Sequence, residues 1–453
     1  MRSRAGRLPG AVILALALGV VALVLAACAP PAQPTPTPIG KAPPAATPTA
    51  AAKPAATTPA ATTPAAATPA ATKPAATPTT AAAAKPTGAA IKIGYVTPIT
   101  GPAAAFGLME SVMVSLGQDD VNNAGGINGS PLQVVKFDSP SDPQQAVTGV
   151  RKLAGDEKAF AIIGPWFSGE FEVTAPLAND LQVPLIGMRV TKPGMTDNNR
   201  PWTFRITVTD DILTPALVAA FKKANPNIKN ILVVGDTKNS VTESMVKDVW
   251  PKYLKDAGLN VQGSVGYDSG TSDFSAIITK IKDMKPEAIA YSATPAGNPV
   301  GFAKELYNQQ VRVPVMNTTH FINGPFVYQA AKEMEGWVTA SQFDPSNPDP
   351  KAQDVIKRWQ AKVDADTSVP KPARVTVEGN SYDVVLIVAD IMRKAGVKGE
   401  TALQEARTKI RDGFASLKDY KGISGNITMK PNGDAITLPT IMVARNGAWE
   451  VVK

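Results

Sequence analysis

IKIGYVTPITGPAAAFGLMESVMVSLGQDDVNNAGGING, residues 91–129, opens the folded part of the chain and shows its plan. IKIGYV is β-rich, with Ile91, Ile93 and Tyr95 alternating, and reads as a short buried strand. TPITGPAAAFG is a Pro/Gly turn region. From Gly107 onward, Leu108, Val112, Leu116 and Val121 recur at helical spacing, which predicts a helix. Residues 123–129 stop it with Asn and Gly, which tolerate the left-handed backbone. LQVVKFD, residues 132–138, is the next strand. Strand, loop, helix and strand make a βαβ unit, hence a parallel sheet whose loops gather at the carboxyl ends of its strands.

Working outward, the same rhythm continues. Residues 142–153 read as a helix with Pro143 in its first turn, and residues 160–164 as a strand. The loop GPWFSGE follows, then a helix from about Ser168, a strand over 183–188, and the loop RVTKPGMTDN. Residues 202–211 read as a strand running into a new helix. Strands at 231–236, 261–267, 287–291, 313–317 and 336–340 then alternate with helices at 241–257, 274–284 and 300–310. Residues 342–350 form a second Pro/Asp/Asn-rich crossover. Helices are expected at 350–364, 378–395 and 401–413, and strands with turns at 431–433 and 446–447 finish the chain. The expected fold class is α/β: two doubly wound, Rossmann-like lobes.

Composition removes several functions. The chain has 453 residues, one Cys, one His and a formal charge of +8. Arg2, Arg4, Arg7, Lys41, Lys53, Lys73 and Lys85 supply +7 of this within residues 1–90, which hold no acid, so the remainder is close to neutral. The basic balance belongs to the leader and tail and argues against nucleic acid as a partner. A single Cys allows no internal disulfide. No run after residue 27 is apolar enough to span a bilayer.

Residues 1–27 have the parts of an export signal: three Arg, then an apolar run. Leu25-Ala26-Ala27-Cys28 resembles the bacterial lipobox. That resemblance implies cleavage before Cys28 and a diacylglycerol on its thiol, hence a membrane anchor. Residues 30–88 are Pro, Ala and Thr with occasional Lys, and no aromatic. They cannot bury enough apolar surface to fold, and read as a semi-rigid spacer.

Catalytic patterns are weak. There is no Walker A loop and no dinucleotide glycine fingerprint after a strand. His320 and Cys28 are single, so a zinc set is lacking. A Ser-His-Asp relay would have to use His320, without a G-x-S-x-G elbow to support it. No enzyme activity and no cofactor are expected. Binding is better supported, because ligands of open α/β sheets sit outside the carboxyl ends of strands. Ser168, where a helix begins, offers a hydroxyl and free amides for an anion. Arg189, at a strand terminus, suits a carboxylate. Alternatively it points to solvent or closes the lobes by a salt bridge.

IGYVTPITGPAAAFG (93–107) and AGGINGSPLQVVKFDSPSDPQQAV (124–147) resemble the opening of periplasmic solute-binding proteins of the branched-chain amino-acid type, receptors of ABC importers. The resemblance runs from Ile91 to the C-terminus. It implies two lobes joined by three crossings, 91–207 plus 343–420 and 208–342 plus 421–453, with 28–90 as lipidated linker. It implies an extracytoplasmic, lipid-anchored monomer that hands a small ligand to permease subunits. Phe106 falls on an aromatic that roofs the ligand. Trp166, Ser168 and Gly169 fall on the loop that holds the ligand carboxylate, where relatives tend to carry consecutive Ser. Val190 and Thr191 fall on the next binding loop, Thr191 binding through hydroxyl and amide. Ser240 and Thr294 replace Tyr residues of relatives. Thr319, beside His320, replaces an acid that neutralises an α-ammonium, and no acid occurs over residues 311–331. The expected ligand is therefore a small amino acid, amide or carboxylic acid, with an ammonium not required. The alternatives are a sensor of the same fold and a structural surface protein.

Overall fold

The structure is a computed structural model describing residues 85–452, apart from 323–324, 372–373 and 376–377. The export leader, Cys28 and nearly all of the Pro/Ala/Thr tether lie outside the described residues.

The first lobe is built on five parallel strands, β1 (Ile91–Thr97), β2 (Leu132–Asp138), β3 (Ile162–Ile163), β4 (Leu185–Gly187) and β5 (Thr203–Arg205), in the order β2-β1-β3-β4-β5. All of β1 except Lys92 is buried, because helices cover both faces of a parallel sheet. The order reverses between β1 and β3, so the loops leaving those strands flank a switch point, the usual place for a ligand.

The second lobe repeats that order. β6 (Asn230–Asp236), β7 (Asn260–Tyr267), β8 (Ala288–Ser292), β9 (Val315–Asn317) and β10 (Val338–Ser341) run parallel as β7-β6-β8-β9-β10. Two antiparallel strands from the C-terminal end of the chain extend this sheet beyond β10.

Three differences from the sequence reading have physical causes. The first helix spans Ala104–Asn123, beginning before Gly107. The chain passes so close to Pro98 that a Cβ on Gly107 would lie 1.9 Å from its carbonyl oxygen. Along this helix Leu108 and Val112 are only half-buried, whereas Met109, Glu110, Met113 and Val114 are fully buried. The cause is the return of Pro350–Ala365 and Gly379–Lys394 onto it, with Trp359 Nε1 donating to the Met109 carbonyl at 3.0 Å. The helix expected over 241–257 is interrupted by a π-turn at Met245–Val249, next to Trp250–Asp256. Pro251 has no N–H to continue the ladder.

The third difference concerns the C-terminal strands, expected in the second lobe. β11 (Tyr420–Gly422), β12 (Gly425–Met429) and β13 (Ala435–Ile436) form a separate small sheet. Ile427, Met429 and Ala435 pack in the core of the first lobe. Only β14 (Thr440–Arg445) and β15 (Ala448–Val451) join the second sheet. The chain therefore crosses after Ile436 instead of at residue 420. Apolar side chains of β12 and β13 find their nearest uncovered surface beside β5, to which Arg205 and Asp434 form a bridge. Among the described residues no helix is long and apolar enough to cross a membrane.

Candidate functional site

The loops leaving β3, β4, β8 and β9, with the helix start after β6, meet around a small cavity. Trp166, Phe167, Ser168, Arg189 and Thr191 line it from the first lobe, and Val241, Thr294, Thr319 and His320 from the second. Seven expected residues thus converge: Trp166, Ser168, Arg189, Thr191, Thr294, Thr319 and His320. Four do not line the wall. Phe106 is fully buried behind it, 5.5 Å from the Trp166 ring centroid and stacked on Phe326 at 5.3 Å. Phe106 lies in the first turn of the helix Ala104–Asn123 and packs behind Trp166, which lines the cavity. Gly169 faces Ser240, to whose Cβ a Cβ at Gly169 would come within 3.9 Å. Val190 packs into the first-lobe core over Gly187. Ser240 sits between the lobes at the rim.

Ser168 is the first residue of the helix Ser168–Asp180, not its cap. The cap position is Phe167, whose N–H donates to Glu170 Oε2 at 3.1 Å. That leaves the Ser168 hydroxyl to the cavity and to the Lys192 N–H, 3.4 Å away. The Thr191 loop is held from below. Fully buried Arg205 donates to the carbonyls of Val190 and Lys192 and to the Asp434 carboxylate. Thr294 Oγ1 is buried and has no hydrogen-bond partner among the described residues. A buried hydroxyl in that condition at a cavity wall is a natural handle for a ligand.

The lobes are shut. Thr191 Oγ1 and His320 Nε2 lie 3.0 Å apart across the cleft. Lys192 Nζ donates to Ser240 Oγ at 2.7 Å, and Ser240 Oγ donates to Glu172 Oε2 at 2.8 Å. His320 Nε2 also lies 3.2 Å from Asp210 Oδ2, while Nδ1 faces Thr318 Oγ1 at 3.1 Å. A nucleophile–base–acid relay needs the acid on the nitrogen opposite the nucleophile. Here both Thr191 and Asp210 face Nε2, which suits a latch.

The cavity has one cationic wall and no carboxylate among its lining residues. Arg189 Nε lies 3.3 Å from Glu110 Oε1, its guanidinium is 5.5 Å from the Trp166 ring, and Trp166 Nε1 donates to Glu110 Oε2 at 2.7 Å. Arg189 does not point to solvent, and among the described residues its ion-pair partner, Glu110, is in its own lobe. Burial lowers the Arg189 pKa, with Glu110 opposing. Burial pushes Glu110 up to about 7, against the pull of Arg189 and helped by Glu378. Phe167 and Val241, not among the expected site residues, are direct neighbours of residues that were. Glu110 carried one signal, a lone acid within an otherwise apolar helical stretch.

Two α/β lobes clasping a cavity between strand-end loops define a clamp-type binding protein. The Periplasmic binding protein family model matches residues 90–447, and the chain belongs to that family, as a type I member of its branched-chain amino-acid ABC branch. It is 31% identical over 192 residues to a leucine-, isoleucine-, valine-, threonine- and alanine-binding protein of Pseudomonas aeruginosa, an alignment covering 42% of this chain and 50% of that one. It is 26% identical over 353 residues to Leu/Ile/Val-binding protein homolog 3 of Brucella melitensis, covering 76% and 88%. The chain thus spans about half of the first relative and most of the second. A solved ABC-transporter solute-binding protein of R. palustris in complex with benzoate superposes with a TM-score of 0.70 at 19% identity, covering 80% of this chain and 95% of that one.

Proposed function

We propose that this receptor captures a small carboxylate that carries no ammonium, with a flat aromatic acid as the best fit. The observation that carries the reading is the charge of the wall: Arg189 is present and no lining side chain is acidic. An α-amino acid would bury its ammonium without a counter-charge, which is costly. A carboxylate meets the guanidinium, Ser168 and Thr191, and a ring meets Trp166 and Phe167. The same fold holds benzoate in the R. palustris protein, so such a ligand is one the architecture can enclose.

The receptor works outside the cytoplasm and delivers its ligand to an ABC permease as a monomer. Cys28 carries the lipid, and the Pro-rich segment spaces the lobes from the membrane. Ligand docks on the first lobe, and the second closes over it. Closure is driven only by the ligand's greater affinity for the shut state.

A thermal-shift series tests the reading. Benzoate and 4-hydroxybenzoate should raise Tm, since a ligand at a hundred times its Kd adds about 2.7 kcal/mol. Leucine and valine should not. Arg189→Met should weaken benzoate by about a hundredfold, the usual scale for losing a buried charge partner. Stabilisation by leucine and none by benzoate would overturn it.

A further inference from the structure

The acid behind Arg189 has a consequence for which ligands enter. Glu110 is fully buried on the helix Ala104–Asn123. The groups facing it come from four elements: Tyr95 on β1, Trp166 after β3, Arg189 after β4, and Glu378 with Ser381 at the start of Gly379–Lys394. Among the described residues, Arg189 is the cation set against two buried carboxylates, Glu110 and Glu378. With both acids ionised the floor of the cleft is net negative, although the wall exposed to the ligand is cationic. An entering carboxylate would add another negative charge to a site closed off from water, where such repulsion is strong. Among the described residues the second lobe brings no Lys or Arg to the cavity lining. Its His320 lies against Asp210, and Lys192 of the first lobe is at the rim.

Building on the carboxylate reading above, we propose that Glu110 is the specificity-determining residue of the cleft: an anionic ligand enters together with one proton, taken from solvent onto the Glu110 carboxylate, whereas a neutral amide of the same shape enters alone. Protonation leaves Trp166 Nε1 its acceptor and frees Arg189 for the ligand. It is accessible near neutrality, since burial among the protein's own groups already pushes Glu110 up to about 7. A nearby anion raises it further.

Calorimetry on the full chain tests this, using benzoate and benzamide at pH 6, 7 and 8, each in two buffers of different ionisation enthalpy. Benzoate should take up a proton on binding, increasingly so toward pH 8, with Kd about tenfold weaker at pH 8 than at pH 6, the change that one coupled proton gives for a group at about 7 before the ligand binds. Benzamide should show neither effect. Glu110→Gln should bind benzoate with no proton uptake and a flat pH profile. Should that variant fail to fold, the proton count of the unaltered protein decides alone. Benzoate binding without proton uptake, or uptake surviving in Glu110→Gln, would overturn the role of Glu110 and leave the carboxylate reading standing. Failure of benzoate to bind at any pH would overturn both.

Discussion

Glu110 and Glu170 are both held out of water in the first lobe, and each carries a proton more readily than an exposed acid. Burial pushes Glu170 from its ordinary 4.5 up to about 7, although Ser139 and the Phe167 N–H hydrogen-bond its carboxylate. A carboxyl whose folded pKa exceeds its unfolded one binds more protons when folded. Stability is then highest below the unfolded value, falls as pH rises through the gap, and is flat above the folded value. The window here runs from about 4.5 to about 7. Tm should therefore fall between pH 5 and pH 7.5 and level off. Glu170→Gln, which keeps an acceptor for Phe167, should flatten that slope in a calorimetric pH series. A Tm rising across this range would contradict the assignment. Asp120 and Asp434, lowered by hydrogen bonds from Arg358 and Arg205 that outweigh their burial, act oppositely and only at more acid pH.

At the scale of elements, the strand-to-helix turns aim the binding loops. Gly107 lets the first helix start against Pro98, and Gly164, at φ +94° and with a Cβ position 2.2 Å from the Val96 carbonyl oxygen, lets the β3 loop turn toward the cleft. In both places the obstacle is backbone, which cannot yield as a flexible side chain does. Gly107→Ala should cost about 1–3 kcal/mol, the scale for forcing an extra methyl into a packed site. Urea unfolding would read this as a lower midpoint at an unchanged slope. An unchanged midpoint would mean that the helix start shifts freely.

For the whole molecule, the described residues show which contacts hold the shut state. Phe106 stacks on Phe326, Thr191 meets His320, and Ser240 is gripped by Lys192 and Glu172 from the other lobe. Such a latch suits a clamp that must reopen to release what it holds. Ser240→Ala should remove about 1 kcal/mol of closure energy, a typical net hydrogen-bond contribution, and raise the Kd for ligand about fivefold. Solution scattering should show the ligand-free variant more extended. An unaltered Kd would show that Ser240 does not hold the lobes.

The sequence by itself determined the elements, their βα alternation and the loops that carry the site. Those depend on local signals: β-rich runs, helical spacing, and Pro, Gly and Asn stops. Because parallel strands gather their carboxyl-end loops on one side, Trp166, Ser168, Arg189, Thr191, Thr294, Thr319 and His320 could be placed together from loop position and the family likeness. Only the tertiary structure decided which partner each side chain takes. It set Arg189 against Glu110, drew Phe106 behind Trp166, gave Ser240 to Lys192 and Glu172, and carried β12 and β13 back to the first lobe. Such pairings arise when distant segments close on one another, and residue spacing along the chain holds no record of them.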